Sequence, residues 1–475
     1  MRRSGHLVVT FRPGEAPPGP AHLDVLVGGA RSTARLDGGP VDRTLRASAA
    51  GFRAARVFHA AASLGRVGEQ HVGFDDVEEA AGCSRAYRIE LATPESTAAT
   101  VERLRELPAV ESAAVQTLAT APLHAATALA DDPAAAQAET RAAHEQVHVP
   151  EAHAIEPGDE RVTVTAVDSG IALGHAEFQR KLLAGYDTVN LGLGRVGDVT
   201  LVGDSRGLDF LPRDYVGHGS GVAGIIGAHG WRQPPGVAGR SLILPVRVLA
   251  AAATGGGDLT GVGAAPDIDA GLKVAIDLGA AVVNMSFGTP EESVDPHAPR
   301  PHEAVAAYAA RRSCVMVAAM GNSGLEERYY PAALESVIAV GSVDRHGMPS
   351  RFSTYGTHVD IVAPGERILS VAPDGYRASS GTSFAAPFVS GAAALVLAHA
   401  RRRGLELSPA QVRSLLLETA TPLAPEFDVR TGRGLLNVAA AVRRVEQARE
   451  DASRAPPGQV ALQRSADSFA ERTGR

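Results

Sequence analysis

The sequence predicts an α/β protein in which a doubly wound, mostly parallel sheet spans residues 147–446, preceded by a small α+β, ferredoxin-like domain in residues 1–120. Apolar runs at 162–167, 242–249, 281–286, 314–320 and 337–343 are rich in Val, Ile and Ala and nearly free of charge, the composition of strands buried under helices on both faces. Stretches of small residues with helical character separate these runs, and that alternation of strand and helix winds a parallel sheet. Ahead of them, apolar alternation at 7–11 and 86–91 is interleaved with helical spacing, the pattern of a smaller mixed unit.

Taken in order, the strand at 7–11 is followed by a helical pattern near 41–50, a strand near 53–59 and the strand at 86–91. The next helix runs over 94–107: Thr93 can cap it, Val101, Leu104 and Leu107 recur at helical spacing, and Pro108 stops it. A strand over 110–118 completes the order β-α-β-β-α-β. Residues 121–146 are rich in Ala, Asp and Glu without a sustained apolar stripe, so they read as a linker and processing zone. Residues 447–475 are polar and carry Pro456-Pro457-Gly458, so they read as a disordered tail.

Composition narrows the function classes. A net charge of -7 over 475 residues argues against a basic nucleic-acid surface, and the 45% hydrophobic and 21% charged content suits a soluble globular chain. Cys83 and Cys314 fall in different predicted domains, so no disulfide framework is expected. Met1-Arg2-Arg3 is not followed by an apolar run long enough for a signal-peptide core, so a cytoplasmic location is expected, with export by another route left open. The Ala-rich stretches are broken by Gly, Pro or charge before they reach the ~18 apolar residues of a membrane span, so none is expected.

Chemistry concentrates in four short motifs. Val167-Asp168-Ser169-Gly170-Ile171 follows an apolar strand, placing the Asp168 carboxylate at the carboxyl end of a parallel strand. Gly217-His218-Gly219-Ser220-Gly221 puts an imidazole at the first turn of a buried helix of small residues, and Gly321-Asn322-Ser323-Gly324 puts an amide directly after a strand. Gly381-Thr382-Ser383-Phe384-Ala385-Ala386-Pro387 opens a helix over 383–401, so backbone N–H groups and the positive helix end face any oxyanion formed beside Ser383. Each motif alone has a plainer reading as turn chemistry or a helix cap. Together they supply what acyl transfer needs. A serine hydroxyl is a poor nucleophile without a base, the base needs a group to fix its tautomer, and the developing oxyanion needs donors. An α/β-hydrolase esterase would require Gly-x-Ser-x-Gly and a triad ending in His; the sequence around Ser383 has neither.

These motifs, in this order, resemble the subtilisin-like serine proteases, or subtilases. The resemblance covers roughly residues 149–445 and includes Pro245-Val246-Arg247-Val248-Leu249, Val283-Asn284-Met285-Ser286-Phe287-Gly288 and Gly434-Leu435-Leu436-Asn437. It implies a serine endopeptidase acting on protein or peptide substrates through an acyl-enzyme, with Asp168, His218 and Ser383 as the triad and Asn322 completing the oxyanion hole. It further implies that Ser286, Phe287 and Gly288 on one side and Ala319, Met320 and Gly321 on the other bind an extended substrate. The first 120 residues resemble the family's inhibitory propeptide, which implies that 115–121 lies in the substrate cleft as an intramolecular inhibitor and that cleavage within 118–141 releases the mature enzyme. Three departures stand out. Gly221 replaces a second histidine that triad chemistry does not need. Residues 228–237 lack the asparagine-containing loop that binds calcium in many secreted relatives, so no cofactor is expected and a calcium requirement is unsupported. Tyr329 falls near the bottom of the family's S1 pocket, implying a preference for modest apolar P1 residues. A catalytically silent pseudoprotease binding peptides is the alternative reading, and an enzyme held by an uncleaved N-terminal domain until a partner acts is a third.

Overall fold

The computed structural model describes residues 1–17, 35–63, 73–121, 133–206 and 208–454. The apolar runs assemble into a sheet ordered Ile361–Pro364, Val337–Val343, Val315–Ala319, Val282–Met285, Thr163–Asp168, Leu242–Arg247, Tyr186–Asp187, each strand parallel to its neighbours. Helices Ala265–Asp277 and Glu303–Arg311 pack together on this sheet, as do His218–Gly227 and Thr382–Arg402, which explains why the strands tolerate no charge inside them. The Thr382–Arg402 helix, alone among those in the described residues, is long and apolar enough to cross a membrane, but it is a core helix whose small residues are buried against the strands.

The N-terminal unit has the expected strand–helix order, with one short extra helix, Asp76–Ala80, between its second and third strands. Its strands lie antiparallel in the order Phe52–Arg56, Ala86–Leu91, Arg2–Phe11, Val110–Thr120. Helices Pro40–Ser48 and Thr97–Arg105 pack against each other, and Leu7, Val9, Phe11, Val41, Leu45, Ile89, Val101 and Leu104 share the core between sheet and helices. Thr93 does not cap the second helix. Pro94–Ser96 forms a 3-10 turn first, and the Thr93 hydroxyl instead accepts from the Ala50 N–H at 3.2 Å.

Two expected boundaries move. Pro133–Gln146 is a helix docked on the large domain, not part of a linker. Ala136, Thr140 and His144 are buried in it, Thr140 Oγ1 accepts from Leu369 N at 2.8 Å, and the His144 ring meets Phe388 edge-on at 4.9 Å. Alanines bury without a bulky stripe when the partner surface comes close, which is why the pattern is not visible as amphipathic spacing. At the other end, Val438–Arg454 carries a helix past residue 446, and Val438, Ala441, Val442 and Val445 are buried where it packs on Val149–Ile155 and Thr382–Arg402. The expected linker at 122–132 and tail at 455–475 lie outside the described residues.

One connection has no counterpart in the sequence reading. The Val110–Thr120 strand pairs on its far side with Leu259–Ala264, setting Leu118 opposite Ala264, Ala119 opposite Gly263 and Thr120 opposite Val262. Ala250–Ala253, Val199–Val202 and Arg195–Val196 continue the ladder, so an eight-stranded antiparallel sheet runs from one domain into the other. Ion pairs flank this seam. Arg88 meets Asp267 at 2.5 Å, Arg105 meets Asp295 at 2.5 Å, Arg312 meets Asp75, and the fully buried Lys273 ammonium lies 2.5 Å from Glu78 and 2.7 Å from Asp277.

Candidate active site

Asp168 is the last residue of the Thr163–Asp168 strand, and His218 is the first of the helix His218–Gly227. Gly219 lets helix and strand end meet: a Cβ there would overlap the Gly170 carbonyl and come within 3.0 Å of Asp168 Cβ. Asp168 Oδ1 accepts from Ser169 N and from His218 Nδ1, both at 2.7 Å. The second imidazole nitrogen, Nε2, is buried and has no hydrogen-bond partner among the described residues. Burial alone would push the imidazole down, but the charge and hydrogen bond of Asp168, aided by the charge of Asp214, outweigh it and hold His218 above its ordinary value.

Ser383 enters from the helix Thr382–Arg402, one residue inside its start. Its hydroxyl donates to Ser286 O at 3.2 Å, and the Ser286 hydroxyl donates back to Ser383 O at 2.9 Å, so the serine is held beside the 286–288 segment with no hydrogen bond from Oγ to His218 Nε2. Phe384 lies edge-on to the His218 ring at 5.6 Å. Asn322 is oriented from the same helix start: its Oδ1 accepts from Thr382 N and Thr382 Oγ1, both at 2.9 Å. This turns Nδ2 toward Gly381, where a Cβ would come within 3.2 Å of it, so the residue before Thr382 must lack a side chain for the amide to sit there.

The two expected substrate walls stand on either side. Gly288 exchanges backbone hydrogen bonds with Thr120, 3.1 Å from its own N–H and 3.2 Å to its O, while Ala121 N donates to Gly261 O at 3.0 Å. Residues 118–121 are therefore a strand laid between 259–264 and Gly288, within the 115–121 segment expected in the cleft; Val115 itself stays in the N-terminal sheet, opposite Leu7. Of the named wall residues, Phe287 turns its ring inward to meet His302 edge-on at 5.8 Å, leaving only its backbone for the cleft. On the opposite wall Ala319 and Met320 are buried, and Gly321 N donates to Thr382 Oγ1 at 3.2 Å. The Tyr329 ring stands between the walls: its Cδ1 is 3.2 Å from where a Cβ on Gly288 would lie, and its Cδ2 is 3.0 Å from the same point on Gly321.

Three residues to which the sequence reading gave no role help build this site. Thr382 locks Asn322, as described. Asp214 lies buried behind the His218 turn and binds both the loop after Asp168 and the loop before His218. The buried Glu177 carboxylate accepts from the N–H groups of Gly230, Trp231 and Arg232 and from the Tyr376 hydroxyl, pinning the 228–237 loop directly. The spacing Asp214-x-x-x-His218 was the available signal for the second; nothing local marked the third. Cys83 and Cys314 are both buried free thiols, each pushed up to about 12 by burial.

The sequence model described as the subtilase family matches residues 159–441. The chain is 37% identical over 251 residues to the thermophilic serine proteinase of Bacillus sp. (strain AK1), a match covering 52% of this chain and 54% of that protein. It is also 37% identical over 244 residues to subtilisin BL of Lederbergia lenta, covering 50% of this chain and 83% of the relative. Among solved structures, a lanthipeptide protease superposes with a TM-score of 0.53 at 25% identity, covering 65% of this chain and 95% of that one. The prenylagaramide maturation protease PagA superposes with a TM-score of 0.50 at 29% identity, covering 62% and 98%.

Proposed function

Because the chain belongs to the subtilase family of serine-type peptidases, we propose that it is an endopeptidase using Ser383 as nucleophile, His218 as general base and then acid, and Asp168 as the group that orients the imidazole. The observation that carries this is the 2.7 Å bond between Asp168 and His218 Nδ1 with Nε2 left buried and unpartnered beside the Ser383 helix. A rotation of Ser383 away from Ser286 O would give Nε2 the hydroxyl proton; apo sites often hold this bond open until substrate arrives. Attack on the scissile carbonyl forms an acyl-enzyme, the imidazolium protonates the leaving amine, and water repeats the sequence to release the acid. Asn322 Nδ2 and the Ser383 N–H supply the oxyanion donors, each such donor being worth about 10²–10³ in rate.

Substrate would bind as residues 118–121 now do, by strand addition against 259–264 and Gly288. The N-terminal domain thus restrains the enzyme by occupying the cleft. Cleavage that frees it falls before Pro133, because the helix from Pro133 onward is packed into the catalytic body. No cofactor is needed in this reading, since Glu177 already holds the 228–237 loop through protein donors. Tyr329 between the S1 walls favours small apolar P1 side chains. Tyr329→Gly should raise kcat/KM for Phe at P1 relative to Ala by about 10- to 100-fold; an unchanged ratio in a peptide library would remove Tyr329 from specificity.

The decisive experiment compares the full chain with Ser383→Ala, reading chain length by mass spectrometry and active serine by a fluorophosphonate probe. Wild type should label at Ser383 and the variant should not, with turnover lower by about 10⁶. A wild-type chain that neither labels nor turns over peptide, even after the N-terminal domain is cut away, would establish the pseudoprotease instead.

A further inference from the structure

We infer that Asp214 is a positioning residue for the catalytic pair: one buried carboxylate fixes the loops of Asp168 and His218 together and keeps a second negative charge behind the imidazole. This rests on the peptidase reading above. Asp214 Oδ1 accepts from Val216 N at 2.9 Å, Gly217 N at 2.8 Å and Ser169 Oγ at 2.9 Å, and Oδ2 accepts from Ser220 N at 2.9 Å and Ser220 Oγ at 2.6 Å. Four of these five donors, from the three residues Val216, Gly217 and Ser220, belong to the turn that starts the His218 helix. The fourth residue, Ser169, follows Asp168 directly.

The two hydroxyls extend the tie. Ser169 Oγ also accepts from Gly219 N at 3.0 Å, and Ser220 Oγ accepts from Ala172 N at 3.0 Å. Each hydroxyl therefore spends its proton on Asp214 while binding the opposite loop, and the carboxylate becomes the common anchor of residues 169–172 and 216–220. Five donors face it, the environment of an ionised carboxylate; burial nevertheless holds its carboxyl above the usual carboxylate range, against the opposing hydrogen bonds from Ser220, Gly217 and Val216. A rigid node of this kind matters because a base displaced by 1 Å can cost about 100-fold in rate.

The charged groups around the pair are few. Asp168 bonds the imidazole, Arg213 and Tyr215 flank Asp214 in the chain, and Arg377 of the hairpin Ile368–Ser379 approaches Gly217, its Nη1 3.4 Å from where a Cβ would lie. Neutralising Asp214 removes an attraction for the imidazolium, so His218 should lose its proton at lower pH.

The test is the pH profile of kcat/KM for wild type, Asp214→Asn and Ser169→Ala, with fluorophosphonate labelling as the check on the underlying reading. Asp214→Asn should lower kcat about 10- to 100-fold at unchanged KM and shift the acid limb to lower pH. Ser169→Ala, which keeps the charge and cuts the link, should lower kcat while leaving that limb in place. Wild-type kcat and an unmoved acid limb in a folded Asp214→Asn enzyme would overturn the inference. If Asp214→Asn does not fold, an unaltered kcat in Ser169→Ala overturns it instead. Failure of wild type to label would fault the peptidase reading and not Asp214.

Discussion

The domain of residues 1–121 and the helix Pro133–Gln146 both lie ahead of the large domain in sequence and both bury apolar side chains against it, yet only the first carries a core of its own. The N-terminal domain carries its own apolar core and meets the large domain through backbone pairing, ion pairs and an apolar patch in which Val57, Phe58, Cys83 and Ala86 join the large domain's core. The helix has no core of its own and is held by burial of Ala136, Thr140 and His144. A unit with its own core can separate and stay folded, wetting the patch it shared; a helix whose only buried face lies on the other body cannot. On the proposed reading, the first is the part that leaves and the second the part that stays.

The largest test of that contrast is Lys273→Ala. It strands Glu78 and Asp277, both almost wholly buried, and removing one partner of a buried ion pair costs about 3–5 kcal/mol. In a Ser383→Ala chain nicked between residues 122 and 132, the N-terminal domain should dissociate at least about 100-fold more readily, as read by size exclusion or competition with a peptide. Retention at wild-type strength would show that strand pairing, the apolar patch and the other ion pairs hold it without the buried pair.

The helix is tested by pH. His144 is held down to about 4 by burial, against 6.5 for the free imidazole, so the unfolded chain takes up a proton that the folded chain refuses. Stability should be unaffected above pH 6.5 and fall as pH drops toward 4, by at most about 3 kcal/mol, in urea unfolding of the Ser383→Ala protein. His144→Leu should flatten that segment of the curve; an unchanged slope would assign it elsewhere.

Smaller effects sharpen the same contrast. Arg312→Ala breaks a pair whose side chains are 33% and 46% exposed, and should weaken docking by under about 1 kcal/mol in the same nicked-chain measurement. An effect as large as that of Lys273→Ala would mean that the rim, not the buried pair, sets the affinity. Chelation should leave the melting temperature unchanged, since Glu177 is committed to protein donors; a clear drop would reveal a calcium ion.

The sequence spelled out those parts where chemistry restricts residue type. Asp168, His218, Ser383 and Asn322 sit in motifs whose glycines and small residues are needed for close approach, and the structure brings the first pair into contact and places Asn322 against the start of the Ser383 helix. Strand runs of the parallel sheet were visible because burial on both faces excludes charge. What was hidden depends on partners far along the chain. Asp214 looks like a loop aspartate until its five donors are in place, and Glu177 like a surface acid until residues 230–232 fold over it. The Pro133–Gln146 helix was hidden because alanine packs without a periodic apolar face.

Consider again the strand Leu259–Ala264, bonded on one side to Ala250–Ala253 and on the other to the N-terminal domain. Were that domain to depart, a row of amides and carbonyls would be left bare along a glycine-containing ribbon, the form of edge that pairs readily with any extended chain. On the proposed reading, a released enzyme would have two competing customers for one seam, its substrates and other copies of itself. Slow, dilute release would favour hydrolysis; sudden release in a crowded compartment would favour self-association and mutual digestion.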